Sequence, residues 1–123
     1  MVPREKFVNI ERDTDAQTAA RIMRDRGIGS LFVTHGKEII GILTDTDMVR
    51  RVVAAGADTQ KTTVEQVMSA PILTIDENKT LLDANDLMAK THIRHLGVTQ
   101  DGKLAGMISV RDLVLFLTNL PRK

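Results

Sequence analysis

Apolar positions along the chain follow two rhythms in turn, one of period two and one of period 3.6. Residues 7–10 (Phe7-Val8-Asn9-Ile10) alternate at their end and predict a short strand. A turn over 11–14 leads to Asp15, which suits a helix N-cap. Ala16, Ala19, Ala20 and Met23 then fall at i, i+3, i+4 and i+7, one stripe of a helix running to about Asp25. Gly27 stands where a left-handed C-cap is expected. Residues 31–34 and 39–43 are apolar runs around His35-Gly36-Lys37-Glu38, a predicted hairpin. A second helix is expected from Asp45 to Ala55, with Val49, Val52 and Val53 as its apolar positions and Gly56 at its end.

A short polar connector, 57–62, follows. Thr63-Val64-Glu65-Gln66 has capping-box spacing and opens a brief helix through Met68. Ala70-Pro71 closes it, because a residue before proline avoids helical geometry. The same order of elements then returns. Residues 73–75 predict a strand, and Thr80 with Asp83 caps a helix carrying Leu81, Ala84, Leu87 and Met88. Residues 96–99 and 104–108 form a second hairpin around Asp101-Gly102, the strongest turn signal in the chain. A last helix carries Leu113, Phe116, Leu117 and Leu120 and stops at Pro121. All these stripes read as core, Met23 and Met88 included.

The recurrence is a sequence repeat with an offset of 65 residues and no gap. Ile10 falls on Ile75, Ala19 on Ala84, Met23 on Met88, Ile28 on Ile93, Leu31 on Leu96, Val33 on Val98 and Val49 on Val114. The fold class is therefore α/β (α+β), two β-α-β-β-α copies covering roughly 8–55 and 73–120. The domain division is 1–60 and 61–123. One copy has a sheet with a face to bury and is too small to stand alone, so the copies are expected to pack sheet to sheet.

Within each copy one string carries candidate chemistry. Gly41-Ile42-Leu43-Thr44-Asp45-Thr46-Asp47-Met48 is matched by Gly106-Met107-Ile108-Ser109-Val110-Arg111-Asp112-Leu113. Each joins the end of an apolar strand to a Ser or Thr, two spacers, an Asp and a helix. Ser/Thr-x-x-Asp is a capping box, and the plain reading is a helix start. A helix start with free N–H groups also suits phosphate, which gives a second reading as a nucleotide grip.

Composition narrows the function. The chain has 123 residues, enough for one compact domain and few for two independent ones. Hydrophobic residues make up 42% and charged residues 27%, as in ordinary globular proteins. With 17 Lys+Arg against 16 Asp+Glu the net charge is +1, too balanced to suggest nucleic acid as a partner. No apolar run approaches the ~18 residues of a membrane span. The N-terminus shows no apolar signal segment, so a cytoplasmic location is expected. There is no Cys, no Trp and no Tyr. A bound base would rest on aliphatic side chains.

The duplicated β-α-β-β-α unit with its paired Gly-x-x-Ser/Thr-x-x-Asp strings resembles the CBS domain, named after cystathionine beta-synthase. Tandem pairs of this domain are called Bateman modules. Val64-Glu65-Gln66-Val67-Met68-Ser69, Leu81-Leu82-Asp83-Ala84 with Leu87-Met88, and Ile93-Arg94-His95-Leu96-Gly97-Val98 fit the family as well, although Gly97 stands where Pro is more common. The first repeat lacks the short helix that Val64–Met68 gives the second. The resemblance covers essentially the whole chain. It implies a pseudo-two-fold pair that binds an adenine nucleotide or an adenosyl ligand between repeats: AMP, ADP or ATP, with NADH and S-adenosylmethionine as alternatives. The motif Asp would take the ribose hydroxyls and the motif Ser/Thr would sit near phosphate.

Carried over residue by residue, the resemblance implies two sites. The first uses Thr44 and Asp47, facing Ile72, Thr74, Ile93, Arg94 and His95. The second uses Ser109, Arg111 and Asp112, facing Lys6, Val8, Ile10, Ile28, Gly29 and Ser30. Arg111 stands in the first helical turn, where the first copy has Thr46 and adds the acidic Asp45. The Asp112 site is therefore expected to hold phosphate better. The plainer alternative for each residue stays open: both Asp as helix caps, Arg94 as a solvated charge, and His95 as a capped surface imidazole.

Three functions follow from these readings. The first is a ligand-sensing regulatory module that signals through a conformational or dimer change to an effector protein. The second is a dimerising scaffold without a small ligand. The third is an enzyme, which no nucleophile–base pair, metal spacing or P-loop supports. A homodimer through the helices, no required cofactor, no metal and no membrane or nucleic-acid partner complete the expectation.

Overall fold

The strands and helices expected from the pattern are present, with ends shifted by a residue or two. The computed structural model describes residues 1–118, the side chain of Leu117 excepted. Of the predicted last-helix positions, the Leu117 side chain, Leu120 and the stop at Pro121 lie outside the described residues. In chain order the elements are β1 (Val2–Pro3), a 3-10 turn (Arg4–Lys6), β2 (Asn9–Glu11), α1 (Ala16–Arg26), β3 (Ser30–His35), β4 (Glu38–Thr44) and α2 (Asp45–Asp47). Then come a π-helix (Met48–Val53), α3 (Val64–Val67), β5 (Thr74–Asp76), α4 (Leu81–Thr91), β6 (His95–Gln100), β7 (Lys103–Ser109) and α5 (Val110–Thr118). No described helix is long and apolar enough to cross a membrane.

The chain divides into two compact units, which are cut at other places than the sequence repeats. One unit is Phe7–Ile72; the other joins Met1–Lys6 to the part from Leu73 onward. In the Phe7–Ile72 unit the sheet order is β2-β3-β4, with β2 parallel to β3 and β4 antiparallel. α1 is the crossover that a parallel pair requires. Asp15 caps it by accepting from the Thr18 amide, and Gly27 ends it at φ 63°, both as the pattern predicts. Leu31, Val33 and Leu43 from the sheet meet Ala16, Ala19 and Met23 of α1 in one core. Phe7 stacks on Phe32 with centroids 3.9 Å apart.

The connector and α3 fold into this unit although they precede the second repeat. Val64 and Val67 are buried in its core, and Ser69 bridges to Ile42 of β4. The other unit has the order β1-β7-β6-β5, and here β1 takes the place at the edge of β7. Gly41 and Gly106 explain why the motif begins with glycine. A Cβ on Gly41 would lie 2.5 Å from Met68 Sδ and 2.9 Å from Ser69 O; on Gly106 it would lie 2.7 Å from Met1 Sδ and 2.8 Å from Val2 O. Both glycines let a crossing backbone approach.

The duplication reaches fine detail. Both hairpins slip register at equivalent places, Val33/Thr34 and Val98/Thr99. The Asp101-Gly102 turn has φ of 52° and 78°, the two left-handed residues of a tight hairpin. Several apolar positions expected in the core are nevertheless on the surface. The helix after Asp47 winds as a π-helix, with Ala54 N donating to Val49 O. This wider winding buries Val52 and leaves Val49 and Val53 exposed. Leu81 at the start of α4 and Phe116 of α5 are exposed as well, while Ala84, Met88 and Leu113 are buried as expected.

Candidate functional site

At the end of β7 the strand turns into α5 through a closed capping box. The Ser109 amide donates to Asp112 Oδ2 at 2.9 Å, and the Asp112 amide donates to Ser109 Oγ at 3.2 Å. His95 of β6 pairs in register with Ser109, and the Val110 amide donates to Arg94 O at 2.9 Å. The unit thus brings Ser109, Asp112, Arg94 and His95 to one corner, with His95 half-buried and Arg94 exposed. Arg111 is exposed in the first turn of α5. Thr74 lies exposed on β5 opposite Gly97, Ile93 is half-buried at the foot of β6, and Lys6 is exposed at the end of the 3-10 turn.

The first copy builds the same corner. Thr44 caps α2, accepting from the Asp47 amide at 3.2 Å, while the Thr44 amide donates to Asp47 Oδ2 at 3.0 Å. Ser30 pairs with Thr44, and the Asp45 amide donates to Gly29 O at 2.9 Å. Ile28 and Val8 are half-buried, and Ile72 is half-buried at the unit's end. Ile10 is buried at 6% exposure, so its side chain belongs to the core.

The two corners differ in what is already engaged. Asp47 is 6% exposed, and its second oxygen, Oδ1, accepts from Ser69 Oγ at 2.9 Å and lies 3.8 Å from Arg51 Nε. Arg51 in turn donates to Met68 O at 2.8 Å. The Thr46 amide, one of the helix-start N–H groups, is taken by Asp45 Oδ1 at 2.8 Å. That carboxylate leaves the amide without a free hydrogen for an outside anion. At the second corner the counterpart of Asp45 is Val110. Among the described residues neither Asp112 Oδ1 nor the Arg111 amide has a partner, and Asp112 is only half-buried. The second corner therefore offers a carboxylate oxygen, a helix-start amide and a guanidinium, which suits a hydroxyl beside an anion.

Sequence reasoning placed Ser69 only in the string Val64–Ser69 and gave it no role, since its bond to Asp47 joins residues far apart in the chain. Arg51 was legible as an i, i+4 partner of Asp47.

The comparisons with known proteins agree with this architecture. The CBS domain model matches residues 1–54 and again 64–119. An uncharacterised protein of Methanopyrus kandleri is 36% identical over 103 residues, covering 80% of this chain and 53% of that protein. The CBS domain-containing protein YhcV of Bacillus subtilis is 35% identical over 99 residues, covering 80% of this chain and 70% of its own. The chain thus spans about half the length of the first relative. Among solved structures, a CBS-domain protein of Burkholderia ambifaria superposes with a TM-score of 0.85 at 30% identity, covering 96% of this chain and 88% of its own. The chain belongs to the CBS-domain family and carries two CBS domains in tandem.

Proposed function

We propose that this chain is a regulatory module that senses an adenine nucleotide or a related adenosyl ligand and signals by a conformational or dimer change. The observation that supports it is the contrast between the corners. Asp47 and the amide of Thr46 are satisfied internally, whereas Asp112 Oδ1 and the amide of Arg111 are open among the described residues. Asp112 accepts from the ribose hydroxyls, and the start of α5 with Arg111 complements phosphate. Thr44 and Asp47 hold a weaker site or none. AMP, ADP and ATP are the first ligands to test, with NADH and S-adenosylmethionine after them.

Calorimetry of wild type, Asp112→Ala and Asp47→Ala with these nucleotides decides it. Asp112→Ala should abolish most of the affinity and Asp47→Ala much less. The reverse order rejects the assignment. A thermal shift gives an independent reading: ligand at 100 times its dissociation constant adds ~2.7 kcal/mol.

A second reading is a dimerising scaffold that binds no small ligand. It is favoured by Val49 and Val53 exposed on the π-helix and by Val114, Leu115 and Phe116 exposed on α5. Absence of any thermal shift, together with a stable homodimer by light scattering, would establish it.

A further inference from the structure

The segment that crosses the motif glycine is built alike in the two units. In Phe7–Ile72, Ser69 bridges Ile42 in antiparallel sense, and Met68 Sδ and Ser69 O lie over Gly41. In the other unit Val2 pairs antiparallel with Met107, and Met1 Sδ and Val2 O lie over Gly106. Ile42 and Met107 are counterparts at the offset of 65 residues. Met1 therefore stands where Met68 stands, and Val2 where Ser69 stands. The repeat in the sequence hides this, because the same offset sets Ser69 against Arg4. The register shows it.

The exchange of serine for valine falls on the motif carboxylate. In the first copy Ser69 Oγ donates to Asp47 Oδ1 at 2.9 Å, and Arg51 Nε lies 3.8 Å from the same oxygen. In the second copy Val2 brings no hydroxyl, and the residue at the place of Arg51 is Phe116, which brings no charge. The other oxygen is held alike in both, by the Thr44 amide at 3.0 Å and by the Ser109 amide at 2.9 Å. The difference between the corners is thus confined to Oδ1. We propose that Val2 is a specificity-determining residue: by withholding the hydroxyl that closes Asp47, it leaves Asp112 Oδ1 to an outside donor such as a vicinal diol and directs ligand to the second corner. Val2 acts through Asp112 and is a positioning residue. The identity of the ligand rests on the nucleotide reading; the link between position 2 and the carboxylate rests on the register alone. A serine at position 2 would fill Oδ1 with a charge-assisted hydrogen bond from within the chain, against which an outside hydroxyl must compete.

The test compares Val2→Ser with Val2→Ala in the full chain, two variants that differ by one oxygen. In calorimetry Val2→Ser should bind AMP at least about tenfold more weakly than Val2→Ala, the scale of one lost hydrogen bond to a charged group. Equal affinities overturn the proposal. A second arm needs no ligand. Urea midpoints are measured for both variants, alone and combined with Asp112→Ala. Serine should give the higher midpoint, and Asp112→Ala should erase the difference. A serine–alanine difference that Asp112→Ala leaves unchanged overturns the proposal, because the hydroxyl then does not reach the carboxylate. Should Asp112→Ala fail to fold, the calorimetry of the single variants decides alone. Should wild type bind no nucleotide, the nucleotide reading fails, and the midpoints decide whether position 2 controls Asp112.

Discussion

Asp47 and Asp112 stand at equivalent positions and have different occupations. The carboxylate of Asp47 is shared among the Thr44 amide, Ser69 Oγ and Arg51, and little of it reaches solvent. A buried acceptor that loses a partner retains the desolvation penalty, so Ser69→Ala should destabilise by about 1–3 kcal/mol in urea unfolding. No equivalent effect is expected at Asp112, where the corresponding side chain contact does not exist among the described residues. The glycines of the two motifs are equally specific. Gly41→Ala puts a methyl into Met68 and the Ser69 carbonyl, and Gly106→Ala puts one into Met1 and the Val2 carbonyl. Each should cost about 1–3 kcal/mol, because a backbone oxygen, rather than only a side chain, must move. A loss below 0.5 kcal/mol at both would show the crossing segments to be loosely held, by the same measurement.

At the scale of elements the sequence was most legible where a local rule decides. Asp15, Thr44, Thr63 and Thr80 cap the helices that the spacing assigned to them. Hydrogen bonds from the Thr18 side chain and then its amide hold the Asp15 carboxyl below its ordinary range; for Asp83 the Thr80 amide leads and the Thr80 side chain adds. A depressed folded-state pKa stabilises above the unfolded value, about 3.9, and that stability is lost as pH falls through the folded value. Wild type should therefore lose more stability than Asp83→Asn on acidification below about pH 4, with urea midpoints as the readout. α4 ends on His92 at φ 57°, where α1 has Gly27 at φ 63°. His92→Gly removes the left-handed penalty and should raise stability by about 0.5–1 kcal/mol in thermal unfolding. The pattern was less legible where a neighbour decides. A 3.6-residue stripe says which positions share a face and not whether anything covers it, so Leu81 and Phe116 read as core and are exposed. The π-helix escaped for a related reason: no local rule in Met48–Val53 distinguishes it from an α-helix, and its winding moves Val49 and Val53 off the buried side.

For the whole molecule, the repeat in the sequence and the unit in space are different divisions. Duplication made the offset of 65 visible, and with it the order of strands and helices, because shared core positions keep their apolar character. It did not show that Val64 and Val67 lie in the core with Ile10 and Leu31, or that Met1–Lys6 belongs with the strands from Leu73 onward. Both are contacts of high sequence separation, and periodicity carries no information about them. The consequence can be measured on fragments. Residues 1–60 contain the whole first sequence repeat but lack the connector bonds from Thr62 to Ala16 and from Val64 and Glu65 to the 12–14 loop, together with the two buried valines. Residues 7–72 contain them all. A domain this small buries only about 60% of its unfolded surface, so losing two core side chains and a pairing segment removes most of its margin. Fragment 7–72 should give a cooperative urea transition by circular dichroism, and fragment 1–60 should not. Val64→Ala within 7–72 should lower the midpoint by the equivalent of about 1–3 kcal/mol, the scale of a truncated buried valine. Equal cooperativity of the two fragments would mean that α3 rides on the surface of the unit and adds nothing to its core.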